Sequence, residues 1–233
     1  MQARRDDKIN IAKRSKNELK MHVSSKHTSW GKYFDRPMTL KDLVKRVLAH
    51  FEYLVLASAR VPVLEIGTGS GAHAIFLSYF IPFVVSIDND WEVLLRAKKE
   101  TRHFRGRVGL VCADARAMPF QDNTFEVGIL QGFYEHFTND ELSLMVIEQL
   151  RVCPHIISSV PSDHYPRFDY GNERLMPPSL WLTTLRDAMS LVEVDVQSRY
   201  YYFDPESWLY SLKALKWLGH FHELITLRKD VGR

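Results

Sequence analysis

The stretch VLEIGTGSG, Val63 to Gly71, decides the fold: a run with buried-strand character stops abruptly in glycines and becomes helical. Glycine carries no Cβ, so it admits a tight turn and lets a ligand approach the backbone. The glycines fall at 67, 69 and 71, as GxGxG behind Glu65. The dinucleotide fingerprint is GxGxxG, so this spacing argues against nicotinamide cofactors. Seventeen residues after Gly71, the run VVSIDND places Asp88 at the end of a second strand. A carboxylate there, beside the glycine loop, can accept both hydroxyls of a ribose; alternatively it caps the following helix. VCADA brings a third acid, Asp114, behind a third strand, placed for the exocyclic amine of an adenine.

Outward from this stretch, strand-like runs at 61–66, 83–88, 108–113, 125–130 and 155–160 alternate with helical stretches. Each run is rich in Val, Ile and Leu, as strands buried on both faces must be. The alternation predicts a parallel sheet covered by helices. After Gly69, the residues Ala72, Ile75, Phe76 and Tyr79 form one helical stripe to pack on the sheet. Asn89 with Glu92, and Thr138 with Glu141, have capping-box spacing. Residues 191–202 and 221–228 are β-rich, and Asp204 and Pro205 between them open a helix carrying Trp208, Leu212 and Leu215. The fold class is therefore α/β: a Rossmann-like, doubly wound, mainly parallel seven-stranded sheet whose last strand returns antiparallel. Residues 1–60 read as a mostly helical lid, broken at Trp30 to Pro37. Residues 61–233 read as the core, with a substrate-lining segment at about 161–190.

A chain of 233 residues suits one domain with a full core and an appended lid. Its 45% hydrophobic and 25% charged residues are the globular average. The net charge of +3 neither requires nor excludes RNA. Residues 1–26 are locally basic, with Arg4, Arg5, Lys8 and Lys13 among them, a pattern that most simply reads as a solvated helical face. Cys112 and Cys153 form no CxxC pair, which disfavours a disulfide scaffold or structural zinc and fits a reducing cytoplasm. No apolar run reaches the roughly 20 residues that span a bilayer, and no signal-peptide core is present.

Four ordered motifs across residues 60–160 resemble the class I S-adenosylmethionine-dependent methyltransferases, in particular the group containing small-molecule and quinone methyltransferases. The fourth motif is PFQDNTFEVGILQGFYEHF, Pro119 to Phe137, which looks like that group's fourth strand and the loop after it. The resemblance implies that Glu65, Gly67, Thr68, Gly69 and Gly71 serve the methionine end, Asp88 the ribose, and Asp114 with Ala115 the adenine. It further implies that Asn89 lies against the adenine face and that Gln131 lines the methionine. Helices ahead of the first strand would close over the carboxyl ends of the strands, with Tyr33 as the expected contact. The sequence departs from the group after the fifth helix, where RVCPHIISSVP, Arg151 to Pro161, lacks a glycine pattern such as LKPGG.

The implied chemistry is in-line displacement at a sulfonium methyl, which asks the protein chiefly for alignment. An oxygen acceptor needs a proton removed, for which His136 and His164 are the candidate bases; a neutral amine needs alignment and desolvation only. The polar and aromatic segment HYPRFDYGNERL, His164 to Leu175, is the expected substrate wall. Tyr200, Tyr201, Tyr202, Trp208, Tyr210 and Trp217 read as core more than as a substrate box. His220 and His222 share a strand face without a third ligand, so no metal is expected. The fourth-strand loop lacks NPPY or DPPY, and no Pro-Cys nucleophile occurs. These features favour a small organic acceptor, methylated at oxygen or nitrogen. The alternatives are an RNA or protein methyltransferase using the basic N-terminus, and a cofactor-binding regulatory or scaffold subunit without catalysis.

Overall fold

Residues 63–66 are completely enclosed and form β1 (Val63–Ile66), the strand around which the sheet is ordered. The computed structural model describes residues 29–165, 169–189, 193–200 and 222–229. Within them lie six further strands: β2 (Val84–Asp88), β3 (Val108–Cys112), β4 (Val127–Gln131), β5 (His155–Pro161), β6 (Val194–Tyr200) and β7 (His222–Lys229). Their order is β3-β2-β1-β4-β5-β7-β6. β1 to β5 run parallel, with Leu64 facing both Val85 and Gly128. β7 lies antiparallel between β5 and β6. The expected fold is therefore present, with each expected strand within a few residues of its place.

The sheet is doubly wound because successive residues of a strand point to opposite faces and both faces here are apolar. Leu64, Ile66, Leu130 and Ile156 join one core; Val63, Val127, Ile129 and Ile157 join the other. The first core is closed by α6 (Asn139–Val152) and α7 (Pro178–Ala188), the second by α2 (Leu40–Ala49), α3 (Phe51–Ser58) and α4 (Ala72–Leu77). Two further helices, α1 (Trp30–Tyr33) and α5 (Trp91–His103), pack on each other near the end of β2.

Local expectations divide. Thr138 and Glu141 cap α6 reciprocally: Thr138 N donates to Glu141 Oε2 at 2.8 Å, and Glu141 N to Thr138 Oγ1 at 3.4 Å. Asn89 does not cap α5. The residue after it, Asp90, accepts from the backbone N–H groups of Glu92 and Val93, which frees Asn89 to face a cavity. The stripe ending in Tyr79 is also corrected. α4 stops at Leu77 and is buried nearly all round, because α2 and α3 cover its outer side. Tyr79 is exposed and donates its hydroxyl to the Phe104 carbonyl at 2.5 Å. The expected break at Trp30 to Pro37 is partly helical, since Ser29 caps one turn, Trp30–Tyr33. The basic run 1–26, the helix after Asp204, the aromatic residues beyond Tyr200, and His220 lie outside the described residues.

Trp181 of α7 is wholly buried, with the Arg174 guanidinium 5.4 Å from its ring centre. Truncation of such a side chain leaves a cavity that its neighbours only partly refill. Trp181→Ala is expected to cost about 3–5 kcal/mol, read as a lowered urea midpoint; an unchanged midpoint would contradict this packing.

Candidate active site

The loop after β1 is shaped by its backbone. Gly67 N and Thr68 N both donate to the Ile87 carbonyl, at 2.9 and 3.0 Å, and Gly71 N donates to the Thr68 carbonyl at 2.8 Å. These bonds pin the loop to the end of β2 and hold Gly67, Gly69 and Gly71 at φ of 81°, 50° and 75°, a left-handed region that glycine enters without steric cost. A Cβ on Gly67 would stand 2.7 Å from the Phe133 ring, and one on Gly69 would stand 3.1 Å from that of Phe34. Gly71 plays another part: it opens α4 and faces Ala97, where a Cβ would have 3.4 Å. It does not line the cavity beside the loop.

That cavity, about 350 Å³, brings together most of the residues singled out in the sequence. Gly67, Gly69, Asp88, Asn89, Asp114, Ala115 and Gln131 line it, with Ile66, Ile87, Phe133 and Met145 as apolar wall. Its volume and mixed lining are those of a small-molecule site. Asp88 accepts from Asp90 N at 2.9 Å, Gly69 N lies 3.5 Å from its other oxygen, and burial raises its pKa. Asp114 is engaged from the side: Arg116 Nη2 donates to Asp114 Oδ2 at 2.6 Å, which holds the carboxyl below its usual range. Glu65 and Thr68 lie beneath the loop, both buried. Ser86 Oγ donates to Glu65 Oε2 at 2.5 Å and lies 2.8 Å from Thr68 Oγ1. Burial pushes Glu65 up to about 8. Both residues border a small cleft of about 40 Å³ that Arg46 and Gln131 also reach.

A second cavity, about 310 Å³, adjoins the first, and the two share Trp30, Phe34, Gln131, Gly132 and His136 as walls. Tyr33 lines this second cavity and not the first. His136 sits on a single tight turn, Tyr134–His136, with Nδ1 2.7 Å from Asn172 Oδ1 and its ring 4.8 Å from that of Trp30. Burial lowers its pKa, against the Asn172 hydrogen bond. His164 is placed elsewhere: its ring stacks on Tyr200 at 5.3 Å and borders neither cavity. The segment it begins does supply wall, through Tyr165, Asp169, Tyr170 and Glu173. His222 reaches the same cavity and packs edge-on to His50. Among the described residues no group of three or more His, Cys, Asp or Glu could hold a metal ion, and no helix is long and apolar enough to cross a membrane.

Trp30 and Phe34 belong to the segment Trp30 to Pro37 expected over the methionine end, where Tyr33 alone was singled out; Arg46, Phe133 and Glu135 were not assigned to the site from sequence. Glu135 is an acid inside the aromatic run FYEHF, Phe133 to Phe137. Phe133 stands in the same run, whereas Arg46 reaches the site from a helix ahead of β1.

Residues 63–154 match the family model described as a methyltransferase domain. Among solved structures, a S-adenosylmethionine-dependent methyltransferase from Aquifex aeolicus aligns with TM-score 0.61 at 16% identity, over 87% of this chain and 100% of that one. A Bacillus halodurans putative methyltransferase aligns with TM-score 0.51 at 19% identity, over 81% and 99%. Haemonchus contortus phosphoethanolamine N-methyltransferase 1, solved with phosphoethanolamine and S-adenosylhomocysteine, gives 0.60 at 15%, over 88% and 48%. No sequence match is found among curated proteins. Residues 63–154 are thus similar to a methyltransferase domain, and the strand order is that of the fold shared with these methyltransferase structures. The narrow space over Gly67 and Gly69 fits a ligand laid against bare backbone.

Gly67→Val puts a branched side chain on left-handed backbone against Phe133. It is expected to lower stability by about 1–3 kcal/mol, seen as a fall in thermal midpoint; a midpoint equal to wild type would refute the loop geometry.

Proposed function

We propose that the chain methylates a small organic molecule at oxygen or nitrogen, with S-adenosylmethionine in the first cavity and the acceptor in the second. The observation that carries this reading is the shared wall of Gln131, Gly132 and His136 at the end of β4, which joins the two cavities. Open α/β sheets bind ligands outside the carboxyl ends of their strands, and both cavities lie there. In this reading Gly67 and Gly69 hold the methionine end, Asp88 the ribose, Asp114 and Ala115 the adenine, and Asn89 the adenine face. Gln131 stands at the junction. Glu65 and Thr68 support the loop from below. Of the segment ahead of β1, Trp30 and Phe34 act as the lid over the cofactor, with Tyr33 turned toward the acceptor.

Bound S-adenosylmethionine supplies a methyl group already activated on sulfur. The protein has then to align, desolvate and, for an oxygen acceptor, remove a proton. His136 suits the last task. With Asn172 Oδ1 accepting from Nδ1–H, its Nε2 keeps a lone pair, and its lowered pKa leaves the ring neutral near pH 7.

S-adenosylmethionine and S-adenosylhomocysteine are expected to raise the thermal midpoint, since a ligand selective for the native state stabilises it, whereas NADH should not. Tight NADH binding with no affinity for either sulfur compound would refute the reading. Asp88→Ala should weaken S-adenosylhomocysteine by about 1.5–3 kcal/mol, the loss typical of hydrogen bonds to a charged group; calorimetry giving an unchanged Kd would remove Asp88 from the ribose.

A further inference from the structure

Methyl transfer between the two cavities has to take place where they meet, and the walls common to both are Trp30, Phe34, Gln131, Gly132 and His136. None of the five is ionised near pH 7, because burial lowers the pKa of His136 and keeps its ring neutral. Each carboxyl of the two cavities lines one of them alone. Asp114 is held by Arg116, Glu141 by its part in the cap of α6, and Asp42 by Arg36. Glu135 Oε1 stands 3.4 Å from where a Cβ on Gly132 would be. Burial pushes that carboxyl up to about 8, however, so near pH 7 it is mostly protonated and carries little charge. The shared wall therefore meets a cation with rings and dipoles rather than with a carboxylate.

Two of those rings are held in place without being buried in the core. Phe34 lies over the glycine loop, 3.1 Å from where a Cβ on Gly69 would be. Trp30 and Phe34 are nearly parallel, at 22° with 6.2 Å between ring centres, and the His136 ring stands edge-on to Trp30. Trp30 also stacks on Tyr170 at 3.8 Å, which fixes its plane. The backbone between and beyond the two is tied down, since Gly31 N donates to Asp90 Oδ2 at 3.1 Å and Met38 N to Glu100 Oε1 at 3.2 Å. Both side chains stay half-buried, and neither belongs to a hydrophobic core. Aromatic faces carry the negative part of the ring quadrupole and attract cations, tryptophan most strongly, and the attraction grows where water is excluded.

We infer that Trp30 and Phe34 recognise the sulfonium of S-adenosylmethionine through their ring faces, so that the site selects the charged cofactor over neutral S-adenosylhomocysteine. The inference rests on the reading of the two cavities given above and names the residues that hold the reacting centre within it. Transfer of the methyl group forms a bond from the acceptor's lone pair to carbon and leaves the electron pair of the broken C–S bond on sulfur. The thioether product is neutral, and the rings no longer attract it. Trp30 and Phe34 are thus positioning residues: they fix the sulfur at the junction while it is charged and weaken their hold once the methyl has gone.

The test is calorimetry on the full chain with three ligands: S-adenosylmethionine, S-adenosylhomocysteine, and the carbon isostere in which CH replaces the sulfonium sulfur, so that the methyl is kept and the charge removed. S-adenosylmethionine is expected to bind about tenfold more tightly than the isostere. Trp30→Leu and Phe34→Leu keep an apolar side chain without a ring. Combined, they should reduce that ratio to about two or less while leaving the affinity for the isostere close to that of wild type, and Trp30→Phe alone should keep most of the ratio. A wild-type ratio near one, a ratio unchanged in the double variant, or an equal loss for both ligands would overturn the inference, the last because the rings would then contribute shape only. If the double variant fails to fold, the two single variants are read by the same criterion, and the wild-type ratio stands as a test by itself. A chain that binds none of the three ligands would overturn the methyltransferase reading, whereas equal binding of all three would overturn this inference alone.

Discussion

Two backbone N–H groups, those of Gly67 and Thr68, converge on the single carbonyl of Ile87, and much of the site depends on that convergence. It ends β1 at Ile66, its last position paired with β2, and ties the loop to the end of that strand. Asp88, the next residue, is thereby brought beside Gly69. The turn demands left-handed backbone, which would cost a non-glycine residue about 1–3 kcal/mol at each position. The same geometry sets where α4 starts and how near Phe133 and Phe34 can come to the loop.

The segment ahead of β1 is fastened by carboxylates of α5. Asp90 caps α5 with one oxygen and accepts from Gly31 N with the other at 3.1 Å. Glu100, buried on the same helix, accepts from Met38 N at 3.2 Å. Backbone donors have few alternative partners once buried, so these bonds fix the register of α1 against the core. Phe34 is consequently seated over Gly69, and Trp30 reaches Tyr170 and His136.

How much of this was legible in the sequence follows the distance over which each feature is determined. The strands and the glycine turn are local in origin, so hydrophobic runs and spacing revealed them, and Gly67, Asp88, Asp114 and Gln131 do line one cavity. Asn89 and Asp90 show the limit of local pattern: both begin a plausible capping sequence, and the choice between them is set by where the chain leaves β2. His136 and His164 were equivalent as sequence. The fold separates them, because β6 offers Tyr200 as a stacking partner to His164 and takes it away from the junction. Trp30, Phe34 and Arg46 are brought in by elements ahead of β1, and Glu135 by the tight turn that follows β4.

The placement of β7 bears on assembly of the polypeptide. β7 completes two ladders at once, hydrogen-bonding from Arg228 to His155 on one side and from Lys229 to Val194 on the other. Until residues 222–229 are in place, both β5 and β6 present an open edge, and unpaired edges of this kind recruit other chains. The pairing with β5 also closes a long loop, an entropic toll that slows folding. A nascent or proteolytically clipped chain lacking this strand would thus carry two adhesive borders where β5, β7 and β6 otherwise form a continuous sheet, making β7 a safeguard against self-association.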